Sequence, residues 1–208
     1  MTWVLVFFGA AVLIAVTPGA NNLLGLHNGM THGGRRALAG LIGRLAAFTL
    51  MIAAVAAGLG QLLAASETAL TVIKWAGVVY LLWLGCRLLW SSFRGAGNPP
   101  QPGDASVATS AVLVARKEFA VAITNPKAIL VFTAFVPQFI GAGHGPVAGQ
   151  IGILGGVYLV AELLAGSLYV GVGTLVRSAR LSRRARRNVD RGTGVVLLGI
   201  AGTLAASA

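Results

Sequence analysis

Six long apolar stretches with few charged residues occupy most of this 208-residue chain. A bilayer core about 30 Å thick requires about 20 apolar residues from each helix that crosses it. The chain is 56% hydrophobic and only 10% charged, which excludes an ordinary soluble domain, where about a quarter of the residues are charged. The sequence therefore predicts an all-α integral membrane protein with six transmembrane helices, at residues 3–26, 37–65, 70–90, 119–140, 147–176 and 193–206.

Lysine and arginine residues indicate the orientation of these helices, because they accumulate on the cytoplasmic side of a membrane. Thirteen of the 16 lie in or beside the connections after the first, third and fifth predicted helices. The other connections and both termini have none, so we predict that both termini lie outside the cytoplasm. Arg44, Lys74 and Lys127 lie at membrane depth. The connection before the sixth helix has seven arginines, which we expect to meet anionic lipids: Arg177, Arg180, Arg183, Arg184, Arg186, Arg187 and Arg191.

Residues 94–110 divide the chain into two halves of three predicted helices each. This stretch is rich in Gly, Pro and Ser, which is typical of a flexible connection. We predict a first repeat at residues 1–93, a cytoplasmic linker at 94–110 and a second repeat at 111–208, all within one membrane domain. An odd number of helices in each half inverts the second half relative to the first. The similar stretches 77–85 (GVVYLLWLG) and 194–202 (GVVLLGIAG) favour such an inverted repeat.

The first and fourth predicted helices are each interrupted by a cluster of Thr, Asn and Pro residues. Proline interrupts a helix but is well placed at the first position of a new one. Thr17 and Asn125 are therefore predicted to cap new half-helices that begin at Pro18 and Pro126. The two half-helices run in opposite directions, so their free N–H groups converge inside the membrane, where they favour a carboxylate. The alternative is that the prolines only bend the helices.

The polar residues at and near these breaks are the candidate substrate-binding groups: Thr17, Pro18, Gly19, Asn21, Asn22, Arg44, Thr124, Asn125, Pro126 and Lys127. Arg44 either binds a substrate carboxylate or reaches the cytoplasmic headgroups, and Lys127 either serves the site or extends to the membrane surface. Glu162 lies deep in the fifth predicted helix and is the candidate for proton coupling. A structural ion pair with Arg44 or Lys127 is its alternative role. Glu67 and Glu118 lie at segment edges, where we expect solvated side chains.

Several motifs resemble those of the lysine exporter (LysE) family, in its homoserine and threonine exporter (RhtB) branch. The resemblance rests on Thr17-Pro18-Gly19-Ala20-Asn21-Asn22-Leu23-Leu24, Gly33-Gly34-Arg35-Arg36, Lys74-Trp75-Ala76-Gly77 and Thr124-Asn125-Pro126-Lys127. The motifs follow the family's order over nearly the whole chain, although the family usually has proline where this chain has Ala20. The resemblance implies a small protein of the bacterial inner membrane that exports amino acids with the proton gradient as the driving force.

We therefore expect a secondary transporter that exports an amino acid or a close derivative by proton antiport. The alternative is a passive solute channel, because paired half-helices also build pores. No enzyme, cofactor or metal site is predicted, since the chain has one cysteine and lacks an HExxH motif and paired intramembrane carboxylates. No nucleic-acid partner is expected, because membrane topology explains the basic residues, and homodimer formation is left open.

Overall fold

The computed structural model describes residues 2–58, 67–93, 110–141, 143–179 and 183–206. These residues form eight α-helices, numbered here in chain order: α1 (Thr2–Val16), α2 (Ala20–His32), α3 (Gly34–Ala56), α4 (Glu67–Phe93), α5 (Ala111–Ile123), α6 (Pro126–Leu130), α7 (Val147–Ser178) and α8 (Arg183–Ala206). After α6 the chain continues as a π-helical turn (Val131–Phe135) and a 3-10 helix (Val136–Phe139). The all-α prediction is confirmed for the described part of the chain.

Two of these helices, α3 and α7, are long and apolar enough to cross a bilayer. The pair α1 and α2 is bent by 60°, and the pair formed by α5 and the segment Pro126–Phe139 is bent by 54°. By length and composition the described residues therefore contain two spans, or four when each bent pair counts as one. The end of the second predicted helix, residues 59–65, and residues 94–109 of the predicted linker lie outside the described residues.

Two predicted helix starts are wrong. α5 begins at Ala111 instead of residue 119, because the Ser110 hydroxyl caps it by accepting a hydrogen bond from the Val112 N–H at 3.2 Å. α8 begins at Arg183 instead of residue 193, so its arginine-rich first part is a helix and not a loop. Arginine is a good helix former, and no glycine or proline interrupts this stretch before Gly192. Both helices thus extend beyond their apolar residues.

The two long unbroken helices α3 and α7 each pack against one of the bent helix pairs. α3 lies against α5, and α7 lies against α2. A Cβ atom at Gly43 would collide with the Ala115 carbonyl, and one at Gly29 would lie 2.6 Å from the Val170 carbonyl oxygen. The last helices of the two halves, α4 and α8, pack mainly against each other. Glycine permits such close approach of membrane helices, so these contacts position the two broken helices.

Aromatic rings fill the core next to the second break. Phe48 of α3, Phe132 of the π-helical turn and Tyr158 of α7 contact one another, with ring centroids 5.3 to 6.1 Å apart. All three residues are almost completely buried. Their packing holds the chain that follows the break against α3 and α7, and it thereby fixes the positions of Asn125 and Lys127.

Candidate functional site

The two helix breaks lie side by side in the folded chain. Asn125 Nδ2 donates a hydrogen bond to Asn21 Oδ1 at 2.6 Å, and Lys127 Nζ donates to the Thr17 carbonyl at 2.9 Å. A Cβ atom at Gly19 would lie 3.6 Å from Lys127 Cδ. The structure thus brings the two breaks together, as the sequence predicts. It also shows that Lys127 reaches the first break.

The second break has the predicted cap. Asn125 Oδ1 accepts a hydrogen bond from the Lys127 backbone N–H at 3.0 Å, and Pro126 is the first residue of α6. The Thr124 hydroxyl donates to the Ala120 carbonyl at 2.8 Å and so completes the last turn of α5. Thr124 and Asn125 therefore serve the ends of two successive helices, one on each side of the bend.

The first break differs from the prediction. The Thr17 hydroxyl donates to the Leu13 carbonyl at 2.7 Å and completes α1, so Thr17 does not cap the next helix. α2 begins at Ala20, with Gly19 as its extended N-cap residue, and Pro18 lies between the two helices. The predicted Thr17 cap with a helix start at Pro18 is wrong, because a threonine hydroxyl can also bond backwards to its own helix.

The two helix ends at the first break differ in whether side chains satisfy their open backbone groups. Asn22 Nδ2 donates to the Ala15 and Thr17 carbonyls at 2.7 and 3.2 Å, and the Tyr169 hydroxyl donates to the Val16 carbonyl at 2.9 Å. These side chains satisfy the carbonyl end of α1. The N-terminus of α2, by contrast, receives no side-chain cap at its N-cap residue. A helix N-terminus has a partial positive charge, so the break keeps the end that attracts anions.

Arg44 is the centre of a buried polar network and is 0% exposed. Its Nε and Nη2 both donate to Glu118 Oε2. Its Nη1 donates to Asn22 Oδ1 at 3.0 Å and to Glu162 Oε1 at 3.1 Å. Its Nη2 also donates to the Asn21 carbonyl. All five N–H groups of the guanidinium are thereby engaged. Arg44 does not reach the lipid headgroups. In this conformation it also has no donor left for a substrate carboxylate, and it fixes the groups around it.

Glu118 is the largest departure from the sequence-based expectation. We expected a solvated side chain, but Glu118 is 0% exposed and accepts hydrogen bonds from Arg44 Nε at 3.1 Å, Arg44 Nη2 at 3.0 Å and Asn28 Nδ2 at 3.0 Å. The early start of α5 at Ala111 places Glu118 inside the helix instead of at its edge. Gly40 of α3 makes room for it, since a Cβ atom there would lie 2.9 Å from Glu118 Cγ.

Glu162 lies on α7 and is 4% exposed. Its Oε1 lies 3.1 Å from Arg44 Nη1, a contact that is compatible both with proton coupling and with the alternative role as an ion-pair partner of Arg44. Tyr158 lies one turn earlier on the same helix, near this carboxylate. Lys127 is the other nearby cation. The network thus holds one guanidinium, two carboxylates and a lysine next to the helix breaks.

The amino-acid sequence matches the family model of the LysE type translocators over residues 12–208. The chain belongs to the LysE family. A homoserine/homoserine lactone efflux protein of Salmonella typhimurium is 28% identical to it, over 99% of this chain and 97% of the relative. A leucine efflux protein of Enterobacter sp. is 25% identical, over 94% and 91%, and an uncharacterized membrane protein of Vibrio cholerae is 30% identical, over 85% and 97%. No solved structure matches the chain.

Two residues of the network in this LysE-family chain, Asn28 and Glu118, are absent from the sequence-based candidates. A signal for each was present. Asn28 follows Asn21 by two helical turns and so shares its face of α2. Arg44 at membrane depth required a carboxylate partner, and few acids are available in the chain. Glu67 was expected to be solvated and Lys74 to lie at membrane depth, and the side chains of both are outside the described part of the structure.

A cavity of about 450 Å³ lies elsewhere in the described structure. Its walls are the C-terminal end of α3, the 3-10 helix and the first turns of α7, and they are mostly apolar, with Thr133 as a polar contribution. None of the candidate site residues lines this cavity. The polar network and the helix breaks therefore form the candidate site.

Proposed function

We propose that the chain is an amino-acid exporter of the bacterial inner membrane that exchanges its substrate for protons. The observation that carries this proposal is the pair of adjacent helix breaks beside a buried ionic network. The uncapped N-terminus of α2 and the Lys127 ammonium suit a carboxylate, and Glu162 suits a proton. Broken helices that meet at a charged site are typical of secondary transporters.

The names of two relatives support the class of substrate. Homoserine, homoserine lactone and leucine all have an α-amino group, whereas the lactone has no free carboxylate. We therefore expect this chain to transport an amino acid or a derivative that keeps the α-amino group. Both relatives are named as efflux proteins and not as enzymes, which agrees with a chain that catalyses no covalent reaction.

The proposed architecture has six transmembrane helices in two inverted three-helix repeats, with the first and fourth helices broken. The reciprocal packing of α3 on α5 and of α7 on α2 supports it, because exchanging the halves exchanges these two contacts. Arg36, Lys117 and Arg177 lie near His32 at one end of the bundle, which supports a cytoplasmic location for that end and periplasmic termini. Two further points stay predictions: that anionic lipids bind beside the arginines at 177–191, and that the protein forms a homodimer.

A passive channel finds no support in the described contacts. The polar side chains at the breaks, including Asn21, Asn125 and Lys127, bond to one another and to the backbone across the gap between the halves. A conformational change has to part these groups before a solute can pass. That requirement is typical of a carrier.

Transport by purified protein in proteoliposomes tests the proposed function. Vesicles made acidic inside should accumulate labelled L-leucine or L-homoserine above the external concentration, because outward proton flow then drives substrate inward. Nigericin, which collapses the pH gradient, should abolish accumulation. Asn22→Leu should still insert but fail to transport, since it removes the bonds to the α1 carbonyls and to Arg44. Flux that only equalises the two sides would refute antiport, and no flux of either amino acid would refute the substrate class.

A further inference from the structure

The ion pairs of Arg44 leave one of two carboxylates without a cation of its own. One guanidinium contacts two carboxylates, Glu118 and Glu162, at 3.0 and 3.1 Å. The side chains of Arg44 and Glu118 are 0% exposed, and that of Glu162 is 6% exposed. A buried charge is costly unless it is paired or neutralised. One of the two acids therefore requires a further positive charge.

The two acids differ in how well their charge is satisfied. Glu118 accepts two hydrogen bonds from Arg44 and one from Asn28, which come from α3 and α2. Glu162 accepts one hydrogen bond, from Arg44, and lies near Tyr158 of its own helix. Glu118 is therefore the fixed counter-ion of Arg44, and Glu162 is the acid whose positive partner can change.

No fixed cation completes the charge balance at Glu162 within the described residues. Lys127 is close enough to interact electrostatically, but its Nζ donates to the Thr17 carbonyl and forms no ion pair with Glu162 within 4.0 Å. α1 carries no titratable side chain, and α2 contributes the neutral amide of Asn22 through Arg44. Four titratable groups from the other elements and from its own helix surround Glu162. Arg44 of α3 contacts it directly, and Glu118 of α5 is linked to it through Arg44. Lys127 of α6 and Tyr158 of α7 lie nearby.

Several other groups that could accept a substrate ammonium at the breaks already accept hydrogen bonds. The last carbonyls of α1 accept hydrogen bonds from side chains. The amide oxygens of Asn21 and Asn22 accept hydrogen bonds from Asn125 and Arg44. Glu162 is thus the acceptor beside the breaks that combines a negative charge with an incomplete set of donors.

We propose that the ammonium group of the transported amino acid binds Glu162 in exchange for a proton. This inference rests on the proposed function and deepens it, because it states how substrate and proton are coupled. In the empty carrier Glu162 holds the proton. When the ammonium arrives, the proton leaves to solvent and an ammonium–carboxylate pair forms, so the net charge of Glu162 and its bound partner group stays zero. The substrate carboxylate, where there is one, faces Lys127 and the N-terminus of α2.

Proton release during binding tests this inference in the wild-type protein. Purified protein in weakly buffered detergent solution is titrated with L-leucine and with L-homoserine while an indicator dye records the pH. We expect about one proton released for each molecule bound, since substrate and proton compete for one carboxylate. The deaminated analogues 4-methylpentanoate and 4-hydroxybutyrate should release none, and they should bind about tenfold or more weakly, the effect of losing about 1.4 kcal/mol.

Two matched variants assign the released proton to one acid. Glu162→Gln and Glu118→Gln each neutralise one carboxylate on the same guanidinium. Glu162→Gln should bind leucine and 4-methylpentanoate with similar, weak affinity and release no proton. Glu118→Gln should still bind leucine more tightly than 4-methylpentanoate, but it should release less than one proton, because Arg44 then neutralises Glu162 in the empty carrier. Size-exclusion profiles show which variants are folded, and the wild-type titrations decide the question if a variant is not.

The outcomes separate this inference from the function on which it rests. Leucine or homoserine that is transported against its gradient but releases no proton on binding between pH 5 and 8 overturns the inference and leaves the exporter in place. The same holds if the deaminated analogue binds as tightly as leucine, or if Glu162→Gln still releases a proton or still binds leucine more tightly than 4-methylpentanoate. If neither amino acid binds or is transported, the proposed function fails and the inference fails with it.

Discussion

The buried contacts of Glu118 predict a large loss of stability when its charge is removed. In Glu118→Gln, the new amide oxygen can keep the bonds from Arg44, but the amide NH2 then faces the Asn28 NH2 that now donates at 3.0 Å. Two donors then oppose each other, and Arg44 loses its fixed counter-ion. Breaking a buried ion pair from one side costs about 3–5 kcal/mol. For a chain of this size the melting temperature falls by about 2–4 °C per kcal/mol, so we expect a decrease of about 10 °C.

Thermal unfolding in detergent micelles measures this effect against an exposed control on the same helix. Arg116→Gln, two residues earlier on α5, changes an exposed side chain and should shift stability by no more than about 0.5 kcal/mol. A double variant, Arg44→Gln with Glu118→Gln, should lose less than the sum of the single losses, because the two residues share one interaction. If Glu118→Gln and Arg116→Gln have the same melting temperature, the network does not hold α2, α3 and α5 together, and the reasoning fails.

Two further predictions concern packing and the breaks. Gly43→Ala should prevent correct folding or lower the melting temperature strongly, because its Cβ would collide with the Ala115 carbonyl. The control Gly152→Ala has open space around it and should leave the protein monodisperse and equally stable. Equal behaviour of the two variants would contradict the close packing of α3 and α5. Asn125→Ala should lose about 1 kcal/mol of stability, because it removes the cap of α6. In the proteoliposome assay it should weaken transport more than Gln138→Ala, which changes an exposed residue of the following 3-10 helix. Unchanged transport by Asn125→Ala would show that the contact between the breaks is dispensable.

The sequence predicts the helix breaks well because their causes are local. Proline acts on its own turn, and Asn125 caps the helix that starts at the next residue, so no distant contact is needed. The failure at Thr17 is local as well, because the same hydroxyl can serve the helix before it or the helix after it. Composition does not distinguish these two alternatives, and the geometry of the bend decides between them.

The burial of Glu118 depends on features that a search for apolar stretches does not detect. The helix starts outside the apolar stretch, at a serine cap, and a glycine on another helix leaves space for the acid. Neither feature changes local hydrophobicity. Charge balance would have been a better guide to a buried Glu118. Arg44 at membrane depth needs a carboxylate partner, and Glu162 alone leaves four of the five guanidinium N–H groups without an acceptor. Tertiary contacts thus determine which acid is structural and which can change its partner.

The helix contacts around the site fall into two kinds, and the difference bears on how a carrier of this shape can move. At Gly43 of α3 and Ala115 of α5, and again at Gly29 of α2 and Val170 of α7, backbone meets backbone. Such contacts cannot yield by a change of rotamer. Between α3 and α7, by contrast, side chains such as Ile52 fill the space above glycines. Side chains can repack there, so α3 with α5 and α2 with α7 form two stiff pairs with a softer boundary between them.

This boundary is where the polar network lies. Arg44 and Glu118 belong to one stiff pair, and Glu162, Asn22 and Asn28 belong to the other. When the pairs shift, the Arg44–Glu118 ion pair stays within one unit, while the Arg44–Glu162 bond stretches across the moving boundary. A ligand changes a conformational equilibrium only through its different affinity for the two states. A proton or an ammonium group on Glu162 acts on an ion pair that crosses the boundary. The ion pair of Glu118 with Arg44 lies within one unit, and Glu118 contacts the other unit only through the neutral amide of Asn28.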